Sequence, residues 1–138
     1  MQSRHSGFTL IELMLVLVII GILSALAVSA WQGQIVRARR LDAEASLVEL
    51  AAWLERNAAA SGRYDLDPAG VSTTLPFTVS PRTGTVYYDL ALTVSAAAFM
   101  LTAAPRDGRD PDCAVLGLDA SGAKTATGSS GVVACWSP

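Results

Sequence analysis

The hydrophobic and polar positions divide the chain into stretches of different character. Residues 1–7 are polar and carry Arg4 and His5. An apolar block, residues 8–31, follows at once. Glu12 is the only charged residue between Phe8 and Val36, and residues 13–30 run for 18 positions without a charge. That is about the length of a membrane span, and no proline interrupts it. A single segment crossing lipid must satisfy its own backbone hydrogen bonds, which predicts a helix. Over residues 32–60 the pattern becomes amphipathic. Val36, Ala43, Leu47, Leu50 and Leu54 recur at spacings near three and four, which puts them on one helical face. Arg40 breaks this row four positions before Glu44, a spacing that suits a local ion pair. Trp53 is expected in the core. Asn57 and the stretch up to Gly62 end the helix, with Gly62 as its cap. A helix over 8–60 would run roughly 80 Å at 1.5 Å per residue. So small a domain cannot bury all of it, so half of it needs lipid or other subunits.

Beyond residue 60 the period shortens. Residues 61–84 are rich in Gly, Pro, Ser, Thr and Asp and read as an ordered connection with one short strand at 75–79. Strands are expected at 85–95, 97–104, 114–118 and 132–136, with a further one at 123–127. Turn signals separate them at 106–112 and 119–122. The expected class is α+β: a long N-terminal helix whose C-terminal half packs on an antiparallel sheet, burying Trp53, Phe99, Leu101 and Leu116. No internal repeat is visible.

Composition narrows the function classes. The chain of 138 residues allows one small domain. Its net charge of −2 argues against general nucleic-acid binding by counterion release. The one histidine lies in the polar leader, so no nucleophile–base pair can be assembled, and no phosphate-binding glycine loop occurs. The reading is of a protein that is not an enzyme and holds no cofactor. Asp107, Asp110 and Asp112 form an acidic cluster but lack the spacing of a calcium loop. Arg106 and Arg109 interleave with them, which favours a solvated polar loop. Arg37, Arg39 and Arg40 form either a solvated face or contacts to lipid phosphates and acidic groups of a neighbour.

Three readings of the N-terminus compete. A secretory signal would be cut after small residues, for which Ala27-Val28-Ser29 is a candidate. A plain anchor would be kept whole and leaves Glu12 unexplained. A cut between Gly7 and Phe8 would keep the apolar run and make Phe8 the new terminus. A carboxylate inside such a run is expensive and marks either a specific partner or a side chain reaching back to the headgroups. Arg4 before the run and three arginines after it leave the orientation open by charge bias.

The string Gly7-Phe8-Thr9-Leu10-Ile11-Glu12, fused to an uncharged stretch, resembles the processing motif of type IV pilins and of type II secretion pseudopilins. The C-terminal Cys135-Trp136-Ser137-Pro138, with Asp112-Cys113 and Leu118-Asp119-Ala120-Ser121-Gly122 upstream, resembles minor pilins of the PilE/ComP type. Gly62-Arg63-Tyr64 resembles the start of their αβ-loop. The resemblance implies the type IV pilin fold, with a leader at 1–7, a transmembrane and filament-core helix at 8–31, an amphipathic half at 32–60 and a head at 61–138. It implies cleavage after Gly7 by a prepilin peptidase and N-methylation of Phe8. Removal of Arg4 then leaves nine cations against 12 acids. Glu12 is expected to pair with the Phe8 amine of a neighbouring subunit, since a buried carboxylate is tolerable only beside a cation.

The same resemblance implies a place and partners. The precursor would sit in membrane lipid as a single pass of the bacterial inner membrane, head in the periplasm. It would then join major and minor pilins in a surface filament through an inner-membrane assembly platform. In an exported head Cys113 and Cys135 are expected to form a disulfide. A metal site is not expected, because two soft ligands remain and no histidine survives processing. Many pilins have proline where this chain has Ser29, so a straighter helix is expected there. The leading function is a minor pilin that primes or joins filaments for motility, adhesion or DNA uptake. The alternatives are a type II secretion pseudopilin and a ComP-like DNA receptor. Residues 57–138 carry five cations and seven acids, an average that opposes DNA as a partner.

Overall fold

The computed structural model describes residues 8–137. The leader, including Gly7 and its expected cleavage, lies outside the described residues. Helix α1 (Leu10–Ser61) is the longest element. The chain divides into two compact units, one ending at Ile35 and one comprising Val36–Pro138. In the first unit the backbone is helical from Leu10 on, Ser29 included. Its side chains over residues 8–26 are exposed: Phe8 is 78% exposed, Leu10 77% and Leu17 68%. It contains the one helical window among the described residues that is long and apolar enough to cross a membrane. An apolar surface of this size on a single helix calls for lipid or other protein.

The second unit is built on residues 36–61 of α1 and one antiparallel sheet. Strands β1 (Val79–Ser80), β2 (Tyr88–Val94), β3 (Phe99–Pro105), β4 (Leu116–Asp119) and β5 (Lys124–Ala126) lie side by side in chain order, a five-stranded meander. The register aligns rows across the sheet. Ala103 stands opposite both Leu90 and Leu116, and Leu101 opposite both Leu92 and Leu118. Alternation along β3 turns Phe99, Leu101 and Ala103 inward. They meet Ala43, Leu47, Leu50 and Leu54 of α1, all fully buried, in one apolar cluster. The helical period of the sequence selected these four residues correctly. Trp53 is half-buried at the margin of that cluster. Gly62 ends the helix at φ +79°, its N–H donating to the Ala58 carbonyl at 2.8 Å, which is the expected cap.

Two expected strands need correction. Residues 75–79 form no strand beyond Val79, where β1 begins. Residues 132–136 are not a strand: Gly131–Cys135 is a short helix, α2. Gly131, at φ +76°, reverses the chain into it, and the Trp136 N–H donates back to the Val132 carbonyl at 3.0 Å. A short apolar run fits either period, and here the turn before it decided.

Candidate functional site

The start of α1 holds the residues marked by the sequence. Thr9 precedes the helix, and the Glu12 N–H donates to the Thr9 Oγ1 at 3.3 Å and to the Thr9 carbonyl at 3.2 Å. Thr9 and Glu12 therefore stand as the first and last residues of a T-x-x-E capping sequence. A carboxylate in the first turn also faces the positive end of the helix dipole. This local role was in the sequence and was missed beside the pairing expected for Glu12. Phe8 lies just before the cap, largely exposed.

In the head, the main polar constellation joins α1 to the segment after β3. Arg40 grips Asp110 with both ends of its guanidinium, Nε to Oδ2 at 2.8 Å and NH2 to Oδ1 at 2.7 Å. The Tyr88 hydroxyl donates to Asp110 Oδ2 at 2.7 Å. Asp110 is only 3% exposed and Arg40 14%, so the pair is largely shielded from water. Burial pushes the Asp110 carboxyl up, but the donors from Arg40 and Tyr88 outweigh it and hold it below the usual range. The same carboxylate raises Arg40, while burial first and Asp110 second raise the Tyr88 hydroxyl. Two expectations fail here. The acidic run 107–112 is not simply a solvated loop, because Asp110 is buried. Arg40 pairs with Asp110, not with Glu44, whose Oε1 is buried without a hydrogen-bond partner. Burial pushes the Glu44 carboxyl up against the pull of Lys124 and Arg40.

Beside this triad lies a cavity of about 90 Å³, lined by Arg39, Tyr87, Arg106, Arg109 and Asp110 among others. The Arg39 guanidinium carbon sits 3.7 Å from the Tyr87 ring centroid, a stacking contact. Arg106 chelates Asp89 through Nε and NH2. The basic residues of 37–40 thus do not share one fate, since Arg40 is paired with the buried Asp110 and Arg39 lies over the ring of Tyr87. Among the described residues no group of His, Cys, Asp and Glu is arranged to hold a metal ion.

At the C-terminal end Cys113 and Cys135 form a disulfide with Cα atoms 5.5 Å apart. It fastens the end of α2, which lies beside β5, to the segment that precedes β4. The Trp136 indole N–H donates to the Thr125 carbonyl at 2.9 Å, and Lys124 lies 4.8 Å from the Trp136 ring centroid. Gly128 passes so close to the other strand of this loop that a Cβ there would lie 2.2 Å from the Asp112 carbonyl oxygen. The Asp119-Ala120-Ser121-Gly122 turn is pinned by the Asp119 Oδ1, which accepts from the N–H groups of Ser121 and Ala123.

Comparison with known proteins places these features. Residues 29–117 match the family described as "Type IV minor pilin ComP, DNA uptake sequence receptor". Residues 2–28 match the "Prokaryotic N-terminal methylation motif". The chain is similar to a fimbrial protein of Moraxella nonliquefaciens, 60% identical over 42 residues, which are 30% of this chain and 27% of that protein. It is similar to the type IV major fimbrial protein FimA of Dichelobacter nodosus, 54% identical over 39 residues, 28% of this chain and 25% of that protein. The chain thus spans about a quarter of the length of these relatives. A solved type IV pilin from Shewanella oneidensis superposes with a TM-score of 0.50 at 28% identity, covering 74% of this chain and 98% of that one.

Proposed function

The chain belongs to the family of type IV minor pilins described as ComP, DNA uptake sequence receptor, and on that premise we propose that it is a minor subunit that primes or joins type IV pili. The observation that carries this reading is the unburied apolar N-terminal unit joined to a small, self-contained head. Residues 8–26 are exposed throughout, as a segment destined for lipid and then for other subunits must be. In this reading a prepilin peptidase cuts after Gly7 and methylates Phe8, and the new amine meets Glu12 of a neighbour. Before assembly the chain is a single pass of the inner membrane with its head in the periplasm, and the assembly platform delivers it to the filament. The fimbrial relatives support a pilus over a secretion pseudopilus. The test is intact-mass spectrometry of sheared filaments. A trace species beginning at methylated Phe8 supports the minor role. A dominant species makes this the shaft subunit, and absence from filaments with processing in the membrane moves the pseudopilin first.

A second reading has its own support. The family description names a DNA receptor, and the head brings Arg39, Arg106 and Arg109 to one cavity although its average charge is negative. Electrostatic attraction to DNA depends on such local fields more than on net charge. We propose that this face binds DNA for uptake. Salt-dependent binding of duplex DNA by the full chain in non-ionic detergent supports it, and no binding at low salt ends it.

A further inference from the structure

Resting on that DNA reading, we infer that the cavity beside Arg39 is a subsite for a single backbone phosphate of the bound DNA. The volume, about 90 Å³, exceeds what one water needs, roughly 10–15 Å³, and suits a small tetrahedral anion. Arg39 is the central donor. It is half-buried, it lines the cavity, and its guanidinium carbon is held 3.7 Å from the Tyr87 ring centroid. A cation–π contact uses none of the guanidinium N–H donors, and two of them can match two oxygens of a phosphate. Among the described residues those N–H groups meet no acceptor; the contact with Tyr87 is the interaction that Arg39 makes.

The rest of the wall is mainly apolar, with Val36, Val86 and Pro105, and its polar groups lie around Asp110 and the mouth. Asp110 is the carboxylate in the lining that would repel a phosphate, and its oxygens are already taken by Arg40 and the Tyr88 hydroxyl. Arg106 and Arg109 add positive charge at the exposed mouth, Arg106 with Asp89 as its counter-ion. Thr85 stands in the lining with a hydroxyl able to donate. A held phosphate carries no base information, so the site fixes where the duplex sits and leaves sequence reading to other contacts.

The experiment is DNA binding by the full chain in non-ionic detergent, read by fluorescence anisotropy across a salt series. Arg39→Gln, Arg39→Lys and Arg63→Gln are compared with the wild type. Losing one phosphate contact lowers the slope of log K against log salt by about 0.9. Arg39→Gln is expected to lose about that much slope and to weaken binding equally on unrelated sequences. Arg39→Lys keeps the charge and is expected to keep the slope with reduced affinity. Arg63, paired with Asp65 away from the cavity, is expected to leave both unchanged when replaced. An unchanged slope and affinity in Arg39→Gln, with the wild type binding DNA, overturns the subsite and leaves the DNA reading standing. A wild type that binds no DNA at low salt overturns both. Equal loss of slope in Arg39→Gln and Arg39→Lys points to a structural role for Arg39 and overturns the subsite.

Discussion

Asp110 lies 70 positions from Arg40 along the chain, yet the two side chains share a bidentate ion pair. Removing one partner of a buried pair leaves the other charged and poorly solvated, which is the expensive case. Arg40→Met is expected to destabilise the head by roughly 3–5 kcal/mol, read as a shift in its thermal unfolding. The pH dependence follows from the direction of the Asp110 shift. Its carboxyl titrates below the usual range when folded, so on acidification the unfolded chain takes the proton first. The stabilisation is complete above the unfolded value, about pH 4, and is lost as pH falls through the folded one. The wild type should therefore lose more stability on acidification than Asp110→Asn does. Glu44 has the opposite sign. Burial raises its folded value, so the folded head binds the proton first and gains stability as pH falls towards the ordinary carboxylate range. Glu44→Gln is expected to stabilise the head at neutral pH and to remove that gain; a variant less stable than wild type would show that the charge is needed.

At the scale of elements, the amphipathic half of α1 was readable because its period is local. Ala43, Leu47, Leu50 and Leu54 share a face on any helix, whatever packs against it. Leu50→Ala is expected to lose roughly 2–5 kcal/mol, since the site is fully buried between helix and sheet. The last element was misread because Val132 to Trp136 is too short to display a period. What makes it a helix is contextual: the positive φ of Gly131 and the bridge to Cys113. Gly128 belongs to the same corner. Gly128→Ala would drive a methyl into the backbone of Asp112 and Cys113, which cannot yield as a side chain would. A loss of about 3 kcal/mol is expected, at the upper end for overpacking. A thermal midpoint equal to wild type would show that the loop relaxes freely.

For the whole molecule, the disulfide closes a sequence separation of 22 and ties α2 to the sheet. In the chain-entropy account a loop of that size is worth about 3 kcal/mol. Cys113→Ser with Cys135→Ser is expected to lose that much, measured by unfolding under oxidising conditions. Reducing the wild type should bring it down to the level of the double variant.

The sequence by itself determined what depends on neighbours along the chain. The apolar run, the helical face from Ala43 to Leu54, the Gly62 cap and the hairpin strands all follow from spacing and residue type. The Thr9–Glu12 cap was legible too, though overlooked. Tertiary structure alone decided which charges meet. Arg40 had a candidate partner four residues away, but burial against Tyr88 and Asp110 offered stronger, water-poor hydrogen bonds. The arginine-lined cavity arises because α1, the start of β2 and the end of β3 converge. Those residues come from three distant stretches, and no local pattern in the chain records their approach.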